Sequence, residues 1–366
     1  MKRHLRRFVS NALALFVASA LLAGCSSTSN TTPSPGSGLG SNSNWAVHTV
    51  TGGSVGRATV GGSLYVANSI GQSVTVYARH ENGNVTPIRT ISGPNTELSS
   101  PAFTALDSDK NLYVTNGTVE ASFVTVYAAR ANGDVTPIRT ISGPNSGLDN
   151  PAGIALDGDN DSYVLNSTTA GVSTPSITVY ASGTNGNVTP IRTISGSKTG
   201  LGVVEGIAVD ENAEVYVANA QVCPRGHCIG TDQVTVYAAG ANGNVEPIRK
   251  IVGSNTLLSL PEGIALDGEN NVYVGNLNHA QFSVTVYAAG ASGNVAPIRT
   301  IAGSKTGLAY PKGIALDAGG HIYVVNSLND ISVTVYSPGA NGNVNPTRII
   351  RGAKTGLNGP LGAAFR

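Results

Sequence analysis

The sequence predicts an all-β chain built from six four-stranded units, and three observations carry that expectation. The composition has 46 Gly, is 40% hydrophobic and only 12% charged, which fits many short strands joined by turns and not a disordered chain. A tetrapeptide, VTVY or ITVY, recurs and ends at Tyr77, Tyr127, Tyr180, Tyr237, Tyr287 and Tyr336. Fixed spacings tie the rest of each unit to that Tyr. A proline follows ten residues later (Pro87, Pro137, Pro190, Pro247, Pro297, Pro346), and an Asp stands twenty residues past each of the first five prolines (Asp107, Asp157, Asp210, Asp267, Asp317). A second Tyr follows each Asp by six residues (Tyr113, Tyr163, Tyr216, Tyr273, Tyr323). A period of this length marks a solenoid, propeller or array.

Each unit divides into strands a to d. In the third unit these are GIALD, SYVLN, SITVY and PIRTI. Strands a to c are nearly continuous apolar runs, as expected of strands covered on both faces. The a–b connection carries Asp, Asn and Gly, and the c–d connection carries NGN or NGD in five units and SGN in one, read here as a hairpin signal. One such unit cannot cover both of its faces. Stacking units about an axis does so, and closing the ring protects the edges, which defines a β-propeller.

Strands b, c and d occur six times, starting from LYVAN at 64–68. The strand a expected before that first b is poor, since Thr59 inside GRATV stands six residues before Tyr65. Twenty residues past Pro346 is Arg366, and GPLGAAFR (359–366) matches NPAGIALD slot for slot. The C-terminal stretch is therefore expected to supply strand a of the first blade and to close a six-bladed ring with residues 63–92.

The pattern P-x-G-I-A-L-D-x-x-x-N-x-Y-V-x-N closely resembles the NHL-repeat consensus over about 300 residues. The resemblance implies a six-bladed propeller in a family that includes binding scaffolds, secreted lyases and hydrolase-like relatives. The chain departs from the family at the end of strand b. Many NHL repeats have Asp there, whereas all six units here have Asn: Asn68, Asn116, Asn166, Asn219, Asn276 and Asn326.

The N-terminus reads as an address. MKRHLRRF followed by VSNALALFVASALLAG is a basic then apolar signal over residues 1–24, too short for a stable span. LLAGC (21–25) resembles the bacterial lipobox, which implies cleavage before Cys25, lipidation of Cys25 and membrane anchorage through several acyl chains. Ser26 after that cysteine implies outer-membrane sorting in a Gram-negative envelope. Residues 25–44 read as the lipidated cysteine and a flexible Ser/Asn/Gly/Pro tether, leaving 45–366 for the propeller. Removing Lys2, Arg3, Arg6 and Arg7 from the 22 bases leaves 18 against 21 acids, so nothing argues for nucleic acid. A monomer without a cofactor is expected.

Three of the four connections keep fixed spacing. Only b–c varies, with 12 to 21 residues from Tyr to Tyr, and in a propeller b–c and d–a loops share one face. Sequence free to specialise on that face marks it as the functional one. Its largest insertion, NAQVCPRGHCIGTDQ (219–233), holds Cys223 and Cys228, a pair that favours a disulfide in an exported protein. A metal site of Cys223, Cys228 and His227 is the alternative. The slot after the strand-a proline reads Ala102, Ala152, Glu205, Glu262, Lys312, Leu361, so three charges fall in consecutive blades. Tyr310 alone among 13 tyrosines lies outside a repeat slot.

The candidate ligand-binding residues are therefore Glu205, Glu262, Tyr310, Lys312, His279, and the strand-end amides Asn219, Asn276 and Asn326. A solvated rim, and turn-capping by the amides, are the structural alternatives. No catalytic constellation stands out and no metal ligands are assigned. The expected function is a non-catalytic envelope lipoprotein that binds a protein, glycan or other ligand through the b–c/d–a face. The alternative is a metal-dependent hydrolase or lyase over the central channel, using Glu205, Glu262, Asn219 and Asn276.

Overall fold

The structure is a computed structural model that describes residues 62–117, 121–167, 174–221, 230–277 and 281–366. The leader, Cys25, the tether, Cys223, Cys228, His227 and His279 lie outside the described residues.

The described chain forms six four-stranded antiparallel sheets. Blade one holds β1 (Ser63–Asn68), β2 (Ser73–Ala78) and β3 (Arg89–Ser92); blade two is β4 (Pro101–Leu106), β5 (Leu112–Gly117), β6 (Ser122–Tyr127) and β7 (Arg139–Ser142). Blade three is β8 (Pro151–Leu156), β9 (Ser162–Asn166), β10 (Ser176–Tyr180) and β11 (Arg192–Ser195); blade four is β12 (Val203–Val209), β13 (Val215–Ala220), β14 (Gln233–Tyr237) and β15 (Arg249–Val252). Blade five is β16 (Pro261–Leu266), β17 (Val272–Asn276), β18 (Ser283–Tyr287) and β19 (Arg299–Ala302); blade six is β20 (Pro311–Leu316), β21 (Ile322–Asn326), β22 (Ser332–Tyr336) and β23 (Arg348–Ile350). The last strand, β24 (Pro360–Phe365), joins blade one in the order β24-β1-β2-β3. The expected closure is thus present, with Leu64 opposite Phe365 and Val66 opposite Ala363. Arg366 exchanges main-chain hydrogen bonds with Ser63 (2.6 and 3.1 Å).

The core is six clusters, one between each pair of neighbouring blades. Between blades three and four, Leu165, Ile177 and Val179 pack on Val204, Val215 and Val217; between six and one, Val325, Val333 and Val335 pack on Leu64 and Val66. This is why strands a to c are apolar on both faces: each blade face has a neighbour.

Two structural features depart from expectation. Strand d begins at Arg, one residue after the isoleucine, and Ile88, Ile138, Ile191, Ile248 and Ile298 are left about half exposed. The NGN segment is also more than a hairpin signal. In blade two, Gly133 pairs in parallel with Ile91 of β3, Asn132 Oδ1 accepts the Thr90 N–H (3.0 Å), and Asp134 Oδ1 accepts the Asn95 N–H (2.8 Å). The same bridge recurs at Gly83, Gly186, Gly243, Gly293 and Gly342. The c–d connection therefore latches each blade to the one before it. The glycine opposite the latch has φ of +128° at Gly93, and a Cβ there would lie 2.5 Å from Asp134 Oδ1, which excludes a side chain.

The repeated tyrosines and arginines are structural. In each blade the strand-d Arg lies over the strand-b Tyr ring of its own blade, 5.6 to 5.8 Å from the ring centroid. The strand-c Tyr hydroxyls are buried and donate to carbonyls in the preceding d–a connection, as Tyr127 does to Thr96 (2.5 Å) and Tyr336 to Thr306 (2.7 Å). Asp157 accepts main-chain N–H groups from Asp159 and Asp161 (3.0 and 2.9 Å), so DGDND is an Asx turn.

Candidate functional site

Strand a enters each blade from the b–c/d–a face, so the slot residues stand around that mouth of the channel. The glycine after the slot decides how close they come. A Cβ on Gly206 would lie 2.5 Å from the Glu262 carbonyl oxygen, and one on Gly313 2.5 Å from that of Leu361. Without side chains there, neighbouring inner strands approach closely, and slot side chains of adjacent blades meet. Blade two has Phe103 in the glycine slot, packed into the cluster between blades two and three.

Three of the predicted residues come together. Lys312 Nζ of β20 lies 2.6 Å from Glu262 Oε1 of β16, and the Glu205 carboxylate of β12 is near enough to act on Glu262. Glu262 is 5% exposed. Burial, and then the nearby Glu205 carboxylate, push its pKa up to about 8 despite Lys312. Burial alone would lower Lys312, but Glu262 and Glu205 outweigh it and raise it. Burial and Glu205 thus favour the protonated form of Glu262 beside the Lys312 ammonium.

The other predicted residues are placed differently. Asn219, Asn276 and Asn326 are fully buried. Asn276 donates to Val274 O (3.1 Å) and Thr285 Oγ1 (3.0 Å) and accepts the Ser259 N–H (3.1 Å). Asn219 and Asn326 do the same with Val217, Thr235 and Gly202, and with Val324, Thr334 and Ala309. Each amide thus donates to strands b and c and accepts one N–H of the d–a connection, which ties that connection over the end of strand b. Tyr310 is 9% exposed, not a rim residue. Its φ is +62° and its ring packs on Phe282 with centroids 5.4 Å apart. His279 lies outside the described residues.

Sequence reasoning missed Asp232, which accepts the N–H groups of Gln221 (2.7 Å) and Leu260 (3.1 Å) and so ties the blade-four b–c loop to blade five. Its place at the end of the longest insertion was the available signal. Among the described residues no group of three or more His, Cys, Asp or Glu side chains is arranged to hold a metal ion.

Fold and site together define a six-bladed β-propeller with a partly buried Glu–Glu–Lys cluster at one channel mouth. No family model matches the chain, and no curated protein matches it; the NHL resemblance stands on the repeat motif alone. Solved structures do match. A protein of unknown function from Bacteroides caccae superposes with a TM-score of 0.57 at 10% identity, covering 83% of this chain and 98% of that one. A protein from Lactobacillus plantarum gives 0.52 at 13% identity, covering 84% and 99%. The PQQ-bound aldose sugar dehydrogenase from Streptomyces coelicolor gives 0.50 at 15% identity, covering 83% and 89%. At such identities the likeness is one of fold.

Proposed function

We propose that the chain is an NHL-type propeller lipoprotein of a bacterial envelope, anchored through Cys25 in the outer membrane. It binds a protein, glycan or other envelope ligand on its b–c/d–a face. One observation carries this: among the described residues the strand-a slot breaks its six-fold repetition with three charges in consecutive blades, Glu205, Glu262 and Lys312, on the face whose b–c loops vary. Repeated groups are consumed in holding the ring together, whereas this cluster is absent from blades one to three. Burying charge costs stability unless it is paired, so three charges in slots that Ala and Leu fill elsewhere favour a functional role.

The test is equilibrium binding of envelope fractions to the immobilised mature chain, with Glu262→Gln/Lys312→Met as comparison. A defined ligand retained by the wild type and lost by the folded double variant supports the proposal. Equal retention removes the site from it. Stoichiometric calcium or zinc in the wild type, lost in Glu262→Ala, would favour the hydrolase or lyase alternative instead.

A further inference from the structure

The chain contains seven Asn-Gly pairs. In this dipeptide the side-chain amide is open to attack by the next main-chain nitrogen, because glycine puts no side chain in the way. The ring ties up six of the seven. In five c–d connections the glycine N–H is donated to strand d of the preceding blade, as Gly83 does to Ile349 O (2.6 Å) and Gly342 to Thr300 O (2.7 Å). In the same connections the Asn oxygen accepts a strand-d N–H, as Asn82 does from Ile349 and Asn341 from Thr300 (both 2.9 Å). Asn132, Asn185 and Asn242 are held alike. Asn116 is buried and its amide both donates and accepts. The seventh pair, Asn358-Gly359, differs. The Asn358 side chain is exposed. Among the described residues neither its amide nor the Gly359 N–H has a hydrogen-bond partner; only main-chain groups are used, Asn358 N–H toward Asn68 (3.1 Å), Asn358 O from Gly71 (3.0 Å) and Gly359 O from Ser69 (2.9 Å). The pair stands immediately before β24, the strand that closes the ring.

We propose that Asn358 is a modification site: it deamidates spontaneously in the folded protein, and the product loosens the closing strand. The Gly359 nitrogen attacks Asn358 Cγ. The new N–Cγ bond forms a cyclic imide, the Cγ–Nδ2 bond breaks, and Nδ2 leaves as ammonia with the former Gly359 N–H proton. Water then adds to one imide carbonyl and the C–N bond there breaks. Opening at Cγ leaves an aspartyl residue; opening at the main-chain carbonyl leaves an isoaspartyl residue. The isoaspartyl form runs the main chain through the old side chain. It lengthens the chain by a methylene and turns the carbonyl that accepts the Gly71 N–H into a free carboxylate, at the point where β24 is held to blade one. The latched pairs are protected because their two reacting groups are engaged by the neighbouring blade, so each reacts only from a locally opened state. Asn358-Gly359 needs no opening. Its glycine is fixed by the fold, since φ is +61° and a Cβ would lie 2.6 Å from Ile70. The asparagine is not, because the same slot holds Ser99 in blade two and Ser259 in blade five.

The test ages the full chain in mildly alkaline buffer well below its melting transition. Peptide mapping by mass spectrometry follows the amide-to-acid exchange at each Asn-Gly pair, and an isoaspartyl methyltransferase scores the isoaspartyl product. Asn358 is expected to convert at least roughly tenfold faster than Asn116 or any of the five latched asparagines, since reaction from an opened state tracks the small population of that state. In concentrated urea the seven rates should converge, because no latch remains. The aged wild type should also develop a population that melts below the fresh protein, in step with the isoaspartyl content at Asn358. Asn358→Ser, aged alongside, should melt as it did when fresh. Should that variant fail to fold, the site-by-site rates and the melting of fractionated aged wild type still decide. Conversion at Asn358 no faster than at the latched pairs overturns the proposed site. Isoaspartyl protein that melts like the fresh chain overturns the loosening of β24.

Discussion

Deleting residues 359–366 should abolish the native ring, and the structure sets the size of the effect. The deletion removes β24, which pairs with β1 from Leu64–Phe365 to Asn68–Pro360. It also removes the hydrogen bonds of Ser63 with Arg366 and of Ser69 with Gly359 (2.9 Å). At about 1 kcal/mol net for each of several such bonds, the main-chain loss is several kcal/mol. The Phe365 ring stacks on Tyr323 at 4.9 Å but is only half-buried. It contributes about 1 kcal/mol, less than the roughly 1.5–3 of a fully buried side chain. Leu64 and Val66, both fully buried, would be uncovered on an open edge that invites aggregation. The total is a large share of the ~5–15 kcal/mol by which domains are stable. The assay is thermal melting by circular dichroism together with gel filtration. The deletion should show no native transition or aggregate, whereas Phe365→Ala should lower Tm by only roughly 2–4 °C. Removing residues 26–50 should cost far less. A C-terminal deletion that melts like the full chain, beside an N-terminal deletion that unfolds, would refute closure by β24.

Four further outcomes are expected. Asn276→Ala should cost roughly 2–4 kcal/mol in denaturant unfolding, because it strands the Ser259 N–H and the buried Thr285 hydroxyl; a ligand-only role predicts no such loss. Tyr310→Ala should cost about 2 kcal/mol or more, since the ring is buried against Phe282; stability equal to wild type would return Tyr310 to the rim. Glu262 has a raised pKa, so its contribution to stability is fully present below the unfolded value of 4.5 and lost as pH rises through about 8. Glu262→Gln, which cannot ionise, should flatten the fall in Tm across that window, and an unchanged slope would mean another group titrates there. Cys25→Ala should block lipidation and release the protein from the membrane fraction; a membrane-bound variant of unchanged mobility would refute the anchor.

How much the sequence by itself determined follows the range of the forces involved. Strand order, blade number and closure by 359–366 were legible because they rest on spacing along the chain and on apolar runs, and each blade repeats the same local solution. The cluster was legible only as an alignment of slots. That Glu205, Glu262 and Lys312 touch depends on glycines, such as Gly206, that let inner strands about fifty residues apart in sequence approach, a distance that only ring closure sets. The six Asn were ambiguous for a related reason. A strand-end amide looks the same in sequence whether it faces solvent or lies under a loop, and the tertiary fold laid the d–a connection over it. Asn132 and Asp134 read as a local turn, yet their oxygens serve the N–H groups of Thr90 and Asn95 in the blade before. Tyr310 read as a rim residue because it sits in a loop, but a left-handed backbone turns it under Phe282. Periodicity fixes which residues are equivalent. Only the closed ring decides which of them meet, because their contacts run between blades, across the repeat.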